Sequence, residues 1–229
     1  LLYSEDVEDI VLSNAIYIGY RFMWQNNRLK KVFFPNVEII KGDFLSWNES
    51  VEVVILPKAW IIGDNFLELN EELNFILIPK ASFIGKYFLN YNNKLIDISL
   101  PEAEEVRDYF LENNKSLKTI SLPKAKIIGN GFMSSNNKIK KVFFPLAEKI
   151  GDYFLHSNCV TEEVILPRAE FIGTNFLEEN QKLKRFVVSK ELEEEIWNRL
   201  NPDSDYIVVY HDGAKEIENR LRQLIKQKR

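Results

Sequence analysis

The sequence predicts an elongated α/β solenoid with a coil length of 22 residues, and three regularly spaced residue types predict it. Seven of the eight prolines lie 22 residues apart, at Pro35, Pro57, Pro79, Pro101, Pro123, Pro145 and Pro167. Phenylalanine recurs eight times at the same interval, and so does asparagine. A fixed short period means that each coil packs only on its two neighbours, which predicts one elongated repeat domain.

The repeat is numbered from the proline position, which the chain first reaches at Ser13. Position 3 is mostly small, position 6 is β-branched, and position 7 is glycine except at Lys41 and Arg107. Position 10 holds Phe22, Phe44, Phe66, Phe88, Phe110, Phe132, Phe154 and Phe176. Position 14 holds Asn26, Asn48, Asn70, Asn92, Asn114, Asn136, Asn158 and Asn180. Positions 11, 17, 20 and 22 are mostly apolar.

A short β-strand is predicted at the end of each repeat, because the apolar positions 20 and 22 alternate with positions 19 and 21. Proline then ends the strand, since it has no amide hydrogen to donate. We expect strands near 7–12, 29–34, 51–56, 73–78, 95–100, 117–122, 139–144, 161–166 and 183–188. The return side of each coil should carry a short extended piece around position 6 and a single helical turn around the Phe-Leu pair.

The glycine and phenylalanine columns each have a predicted role. Glycine at position 7 is expected to permit a positive φ at a corner of the coil. The eight phenylalanine rings are expected to stack along the solenoid axis at the inter-strand distance, roughly 4.8 Å.

The asparagine column is predicted to be a buried structural ladder. Each amide is expected to satisfy main-chain groups in its own coil and the next. We favour this interpretation over an eight-fold ligand site. Asn48 and Asn114 also begin Asn-x-Ser glycosylation patterns. Because both belong to the ladder, neither is expected to be modified.

The repeat domain is predicted to span residues 1–189, and residues 190–229 to form a helix-strand-helix cap. Residues 190–201 have apolar residues at helical spacing, and 206–210 are a β-rich run. Residues 214–228 are predicted to form an amphipathic helix, whose basic tail is interpreted as a solvated face. The chain begins inside a repeat, so we expect the natural protein to extend further toward its N-terminus.

Composition excludes several functional classes. The net charge of −4 argues against a nucleic-acid partner, because such proteins usually carry a basic excess. The chain lacks an apolar run of about 18 residues, so no membrane insertion is predicted for this segment. Its one cysteine, Cys159, cannot form a disulfide within the chain and leaves the cellular compartment open.

Few residues suggest chemistry. His156 and Cys159 form an HxxC pair, but a closed zinc site needs about four ligands, and a Cys-His nucleophile needs a third group to hold the base. The carboxylate pairs Glu104-Glu105 and Glu162-Glu163 fit a solvated face better than a catalytic dyad. We therefore predict no catalytic residue, no metal site and no cofactor, and we do not expect an enzyme.

The consensus P-x-A-x-x-I-G-x-x-F-x-x-x-N-x-x-L-x-x-I-x-L resembles the BspA-like (LRR_5-type) class of leucine-rich repeats over nearly the whole chain. Asparagine stands where many members of that class carry cysteine. The resemblance implies a right-handed superhelix with a parallel β-sheet on one face, and a C-terminal α/β cap. It also implies a surface or secreted protein of bacteria or some protists that binds other proteins, as in adhesion, and it brings no catalytic motif.

Position 21 supplies the candidate binding residues, because it is expected to point to solvent beside the inward positions 20 and 22. The column reads Phe33, Ile55, Leu77, Ser99, Ser121, Phe143, Ile165 and Val187. It predicts two apolar patches separated by a polar gap at the two serines, with charged residues around them. A contiguous apolar patch with a charged rim suits a protein partner.

Several alternatives to partner binding remain open from the sequence. Another part of the natural chain or a second copy of the protein could cover this face, or the apolar residues could reflect strand propensity alone. The chain could also be a structural spacer within a larger protein, or a host-directed effector. The sequence identifies neither the partner nor the oligomeric state.

Overall fold

The computed structural model describes residues 7–192, 194, 196 and 207–211. Each coil contributes one strand at the end of the repeat and one two-residue strand on the return side. The first set is β1 (Asp9–Val11), β3 (Lys31–Phe33), β5 (Val53–Ile55), β7 (Phe75–Leu77), β9 (Asp97–Ser99), β11 (Thr119–Ser121), β13 (Lys141–Phe143), β15 (Glu163–Leu166) and β17 (Arg185–Ser189). The second set is β2 (Tyr17–Ile18), β4 (Ile39–Ile40), β6 (Ile61–Ile62), β8 (Phe83–Ile84), β10 (Glu105–Val106), β12 (Ile127–Ile128), β14 (Lys149–Ile150) and β16 (Phe171–Ile172).

All strand pairs are parallel and join residues 22 apart, so the solenoid prediction and its strands are confirmed. The return strands form one unbroken eight-stranded sheet from β2 to β16. The longer strands differ from the expected single sheet. They form three sheets: β1-β3-β5-β7, β9-β11, and β13-β15-β17 followed by a further strand, β18 (Ile207–His211). Within the described residues, no backbone hydrogen bond joins β7 to β9 or β11 to β13.

The phenylalanine column forms the predicted stack in the core. From Phe22 to Phe154, successive ring centroids lie 4.9–5.8 Å apart, and the rings are tilted by only 4–15°. Phe34 and Phe144 contact the stack edge-on from the strand side. Apolar residues at positions 3, 6, 11, 17, 20 and 22 fill the remaining core.

The asparagine ladder is confirmed, and its side-chain amides reach the preceding coil. From Asn48 to Asn180, each Nδ2 donates to the position-11 carbonyl of the preceding coil at 2.7–2.9 Å. Nδ2 also donates to the position-12 carbonyl of its own coil, as Asn114 does to Glu112 at 3.2 Å. Asn48 and Asn114, the two glycosylation candidates, are fully buried, so their amides are inaccessible to modification.

The predicted helical turn around the Phe-Leu pair is wrong. φ is positive at positions 9, 11 and 13 of every coil, as at Asn65 (54°), Leu67 (52°) and Leu69 (57°). A right-handed helix needs negative φ at successive residues. The alternation of positive and negative φ instead directs the backbone N–H groups into hydrogen bonds with the neighbouring coils. The Asn65 amide donates to Lys86 O in the next coil at 2.8 Å, and the Leu67 amide donates to Phe44 O in the preceding coil at 2.9 Å.

The predicted role of glycine at position 7 is also wrong. Among the glycines in the described part of the chain, positive φ occurs only at Gly131, which occupies position 9. Position 7 needs glycine because adjacent coils approach closely there. A Cβ on Gly63 would lie 2.5 Å from Gly42 N and 2.6 Å from Lys41 C, closer than real Cβ contacts. Nothing in the structure explains why Lys41 and Arg107 replace glycine at this position.

The C-terminal segment continues the sheet. β18 (Ile207–His211) pairs in parallel with β17, which confirms the strand predicted at 206–210. A 3₁₀ helix, Lys190–Leu192, follows β17. Glu194 and Ile196, which lie within the helix predicted at 190–201, are helical. The other residues of that segment after Leu192 lie outside the described residues. The helix predicted at 214–228 lies outside the described residues, and the domain boundary at residue 189 stays a prediction.

Candidate protein-binding face

The first half of the position-21 column forms a continuous apolar row. Val11, Phe33, Ile55 and Leu77 are register partners on β1, β3, β5 and β7, so they lie side by side across four hydrogen-bonded strands. Phe33 and Leu77 are each 41% exposed, and Ile55 is half-buried between them. Adjacent strands of a sheet lie about 4.8 Å apart, so the four side chains are immediate neighbours.

Phe75 widens this row by one more large side chain. It lies at position 19 of β7, two residues before Leu77 on the same side of the strand, and it is 48% exposed. The sequence prediction missed it because position 19 is charged or polar in most coils. We call Val11, Phe33, Ile55, Leu77 and Phe75 the N-terminal patch.

The polar gap predicted after this patch is present. Ser99 and Ser121 are exposed register partners on β9 and β11. These two strands form a sheet of their own, so the gap in apolar character coincides with two breaks in the backbone hydrogen bonding.

The second predicted apolar patch is not an open surface. Ile165 is only 8% exposed and Val187 only 3%, so both are buried, whereas Phe143 is half-buried. Ile165 lies between Phe143 and Val187 in register, and Val187 has Val209 of β18 on its other side. Because β18 adds a strand beyond the repeats, Val187 is flanked by apolar neighbours on both sides. The exposed apolar part of the face is therefore the N-terminal patch.

Ion pairs between adjacent coils surround the apolar residues. Lys30 Nζ lies 3.0 Å from Glu8 Oε2 beside the N-terminal patch, and Lys184 Nζ lies 2.6 Å from Glu162 Oε2 at the other end. The hydrogen bond from Lys184 lowers the pKa of Glu162. Such exposed pairs are screened by water and contribute little to stability, so they matter more for partner selection than for folding.

A second exposed apolar column lies on the eight-stranded sheet and was missed from the sequence. Tyr17, Phe83, Ile127 and Phe171, all at position 5, are exposed next to the buried position 6. The alternation of positions 5 and 6 was the signal for it, although two residues make a weak strand pattern. Glu105 and Lys149 interrupt the column, but its first half is also a continuous row of register partners across four paired strands: Tyr17, Ile39, Ile61 and Phe83.

The structure does not show His156 and Cys159 in contact. His156 Nδ1 lies 2.9 Å from Ser157 Oγ, and its Nε2 lies 3.6 Å from Glu178 Oε2. The Ser157 hydroxyl donates its hydrogen bond to Glu179 Oε2 at 2.6 Å. An activated serine nucleophile would instead donate that hydrogen bond to the imidazole. Cys159 is exposed, and its Sγ lies 3.9 Å from Ser157 O.

Across the described part of the chain, no group of three or more His, Cys, Asp or Glu side chains could hold a metal ion. In the same described residues, no helix is both long enough and apolar enough to cross a membrane.

Comparison with known proteins identifies the repeat. The family described as BspA type leucine rich repeat region matches residues 60–184 in six copies. No curated protein sequence matches the chain. A leucine-rich repeat protein from Bacteroides ovatus, known from a crystal structure, is 16% identical with a TM-score of 0.48, and the match covers 88% of this chain and 66% of that one. A leucine rich cell surface protein from Faecalibacterium prausnitzii is 9% identical with a TM-score of 0.28, covering 93% and 81%.

Proposed function

The chain belongs to the BspA-type leucine-rich repeat family, whose members are non-enzymatic repeat scaffolds, and we propose that it is a protein-binding module that uses its sheet face. The observation that carries the proposal is the N-terminal patch, an apolar row across four paired strands. Apolar patches of several large side chains on a protein surface usually mark interaction sites. A surface or adhesion role is the finer part of this proposal and follows from the family resemblance.

The fold suits rigid display of such a patch. The phenylalanine stack and the asparagine ladder fix each coil on its neighbour, so the exposed side chains have little backbone freedom to lose on binding. Preorganisation of this kind strengthens binding, because less ordering free energy opposes association. The ion pairs at the edge, such as Lys30 with Glu8, form the charged rim that protein interfaces usually have.

A purely structural spacer is the alternative in another functional class. It has no need of a contiguous apolar row on a solvent-facing sheet, which has an aggregation cost. The N-terminal patch therefore favours binding over a spacer role.

The test compares variants of two exposed faces. Phe33→Ser with Leu77→Ser disrupts the N-terminal patch, and Tyr17→Ser with Phe83→Ser is the matched control on the opposite sheet. Partner binding is measured by surface plasmon resonance against partners found with the unmodified chain as bait, and circular dichroism checks the fold. We expect at least a tenfold loss for the first variant and no change for the second. Unchanged binding in the first variant would exclude the patch.

Self-association is measured first, by light scattering over a range of concentrations. A monomer leaves the patch free for a different protein. A concentration-dependent dimer that the Phe33→Ser and Leu77→Ser variant abolishes would assign the patch to contact between two copies instead.

A further inference from the structure

The opening between β11 and β13 leaves main-chain groups without the partners that equivalent groups have elsewhere. In the coil after β13, the backbone N–H groups of Glu162 and Glu163 both donate to Lys140 O, at 2.8 and 3.1 Å. The corresponding amides of Lys140 and Lys141 have no such bond to Lys118 O, and no other acceptor for them is present among the described residues. By equivalence with Glu162 and Glu163, both N–H groups belong to the edge of the coil that faces β11.

This opening is a cleft of about 640 Å³ with a basic lining. Lys118, Lys138, Lys140 and Lys141 line it, and no Asp or Glu does. Lys141 is paired with Glu163 at 2.5 Å, and the charge of Lys140 helps to lower the pKa of Glu162, whereas Lys118 and Lys138 form no ion pair within the described residues. Lys118 and Lys140 share position 18 of adjacent coils, so two like charges lie side by side. The cleft is therefore a local positive site on a chain whose net charge is −4.

The walls of the cleft are apolar as well as basic. Ile120 and Phe143 are both half-buried and lie on the two strands that border the opening. A small inorganic anion would use the lysines and leave these side chains uncovered. A peptide that carries carboxylates next to apolar side chains would use both features.

We propose that this cleft binds an extended acidic segment of a protein partner, a proposal that rests on the protein-binding function inferred above. A carboxylate of the segment accepts hydrogen bonds from the Lys118 and Lys140 ammonium groups and from the free strand amides. Its neighbouring apolar side chain packs on Phe143. Charge-assisted bonds of this kind are stronger than neutral ones and select an acidic partner. Unpaired strand edges are a recurrent site for extended peptides.

The test uses ¹⁵N-labelled protein and a blocked peptide of alternating Glu and Leu, with a Gln-Leu peptide as the matched neutral control. We expect amide shifts for residues 118–121 and 138–143 with the acidic peptide only. The affinity should fall as salt is added, because added ions screen the lysines. Lys118→Ala with Lys140→Ala should weaken binding at least tenfold. Lys94→Ala with Lys124→Ala, which removes lysines paired with Glu72 and Glu102, should leave it unchanged.

Three outcomes would overturn the proposal. These are no shifts at millimolar peptide, shifts confined to other residues, and equal binding of inorganic phosphate or a sulfated oligosaccharide, which would indicate a general anion site. The Phe33→Ser and Leu77→Ser variant should bind the acidic peptide normally. If the acidic peptide does not bind while partner binding still depends on Phe33 and Leu77, the cleft is excluded as a binding site and the protein-binding function stands.

Discussion

The side-chain amide of Asn114 donates a hydrogen bond of 2.9 Å to the main-chain carbonyl of Leu89 in the preceding coil. Asn114 Oδ1 accepts a second hydrogen bond, of 3.0 Å, from the backbone N–H of Asn92. One buried side chain thus satisfies main-chain donors and acceptors that cannot reach each other. The asparagine column holds the coils together where the alternating φ values leave no regular strand or helix.

Substitution of a ladder residue should therefore be costly. Asn114→Ala leaves Leu89 O and the Asn92 amide unpaired and buried, and each such group costs about 1–3 kcal/mol, so we expect a loss of roughly 2–5 kcal/mol. Urea denaturation followed by circular dichroism measures it. Asn137→Ala, at an exposed asparagine one residue past the ladder position, is the control and should change stability little. Equal effects of the two substitutions would contradict the ladder.

Position 7 provides a second pair of substitutions. Gly63→Ala places a Cβ 2.5 Å from Gly42 N, so adjacent coils must separate, and overpacking of this kind costs about 1–3 kcal/mol. Gly19→Ala is the control, because its Cβ would meet only Tyr17 Cε1, at 4.0 Å. Thermal unfolding should show a lower midpoint for Gly63→Ala alone. A similar loss at Gly19 would point to backbone flexibility rather than close approach.

The alternating φ values can be tested at one half-buried serine. Ser135 has φ of 60°, and Gly131 in the same coil has 64°. Ser135→Gly should stabilise the protein slightly or leave it unchanged, because glycine adopts this region without strain. Ser135→Val should destabilise it by about 1–3 kcal/mol, because a β-branched residue is strained there. If valine and glycine gave the same stability, the positive φ would be wrong.

The sequence predicted the features that the 22-residue period controls and missed those that depend on neighbouring backbones. Phe44, Asn70 and Ile40 lie in the core, as the recurrence of each residue type every 22 residues indicated. The left-handed residues, such as Leu67, do not follow from residue type, since leucine rarely adopts positive φ. They follow from hydrogen bonds between coils, which the sequence of one repeat does not encode.

The candidate face was predicted in part for a related reason. Exposure of Phe33 and Leu77 followed from strand alternation, and the structure agrees. Alternation gave the same expectation for Val187, which is only 3% exposed and pairs in register with Val209 of β18. The basic cleft depends on where the hydrogen bonds between β11 and β13 are lost. The serines at position 21 coincide with that point, but serine at an exposed strand position does not by itself predict a break in the sheet.

Two glutamates make the stability of the protein depend on pH in opposite directions. Partial burial raises the pKa of Glu112 above its ordinary value of 4.5, so the folded state binds its proton more tightly than the unfolded state. Stability then falls as pH rises from that value through the folded pKa. Glu162 is the opposite case, because its hydrogen bond with Lys184 lowers its pKa and favours folding once the carboxylate is charged.

Glu112→Gln should therefore raise the unfolding midpoint at pH 7 and have little effect at pH values below about 4, where both states are protonated. Glu162→Gln should slightly lower the midpoint at pH 7 and lose its effect in acid, where Glu162 is protonated in either state. Thermal unfolding of both variants and the unmodified chain across this pH range measures the difference. A Glu112→Gln variant that is less stable at pH 7 would contradict the burial of that carboxylate and would indicate instead a favourable ionic partner.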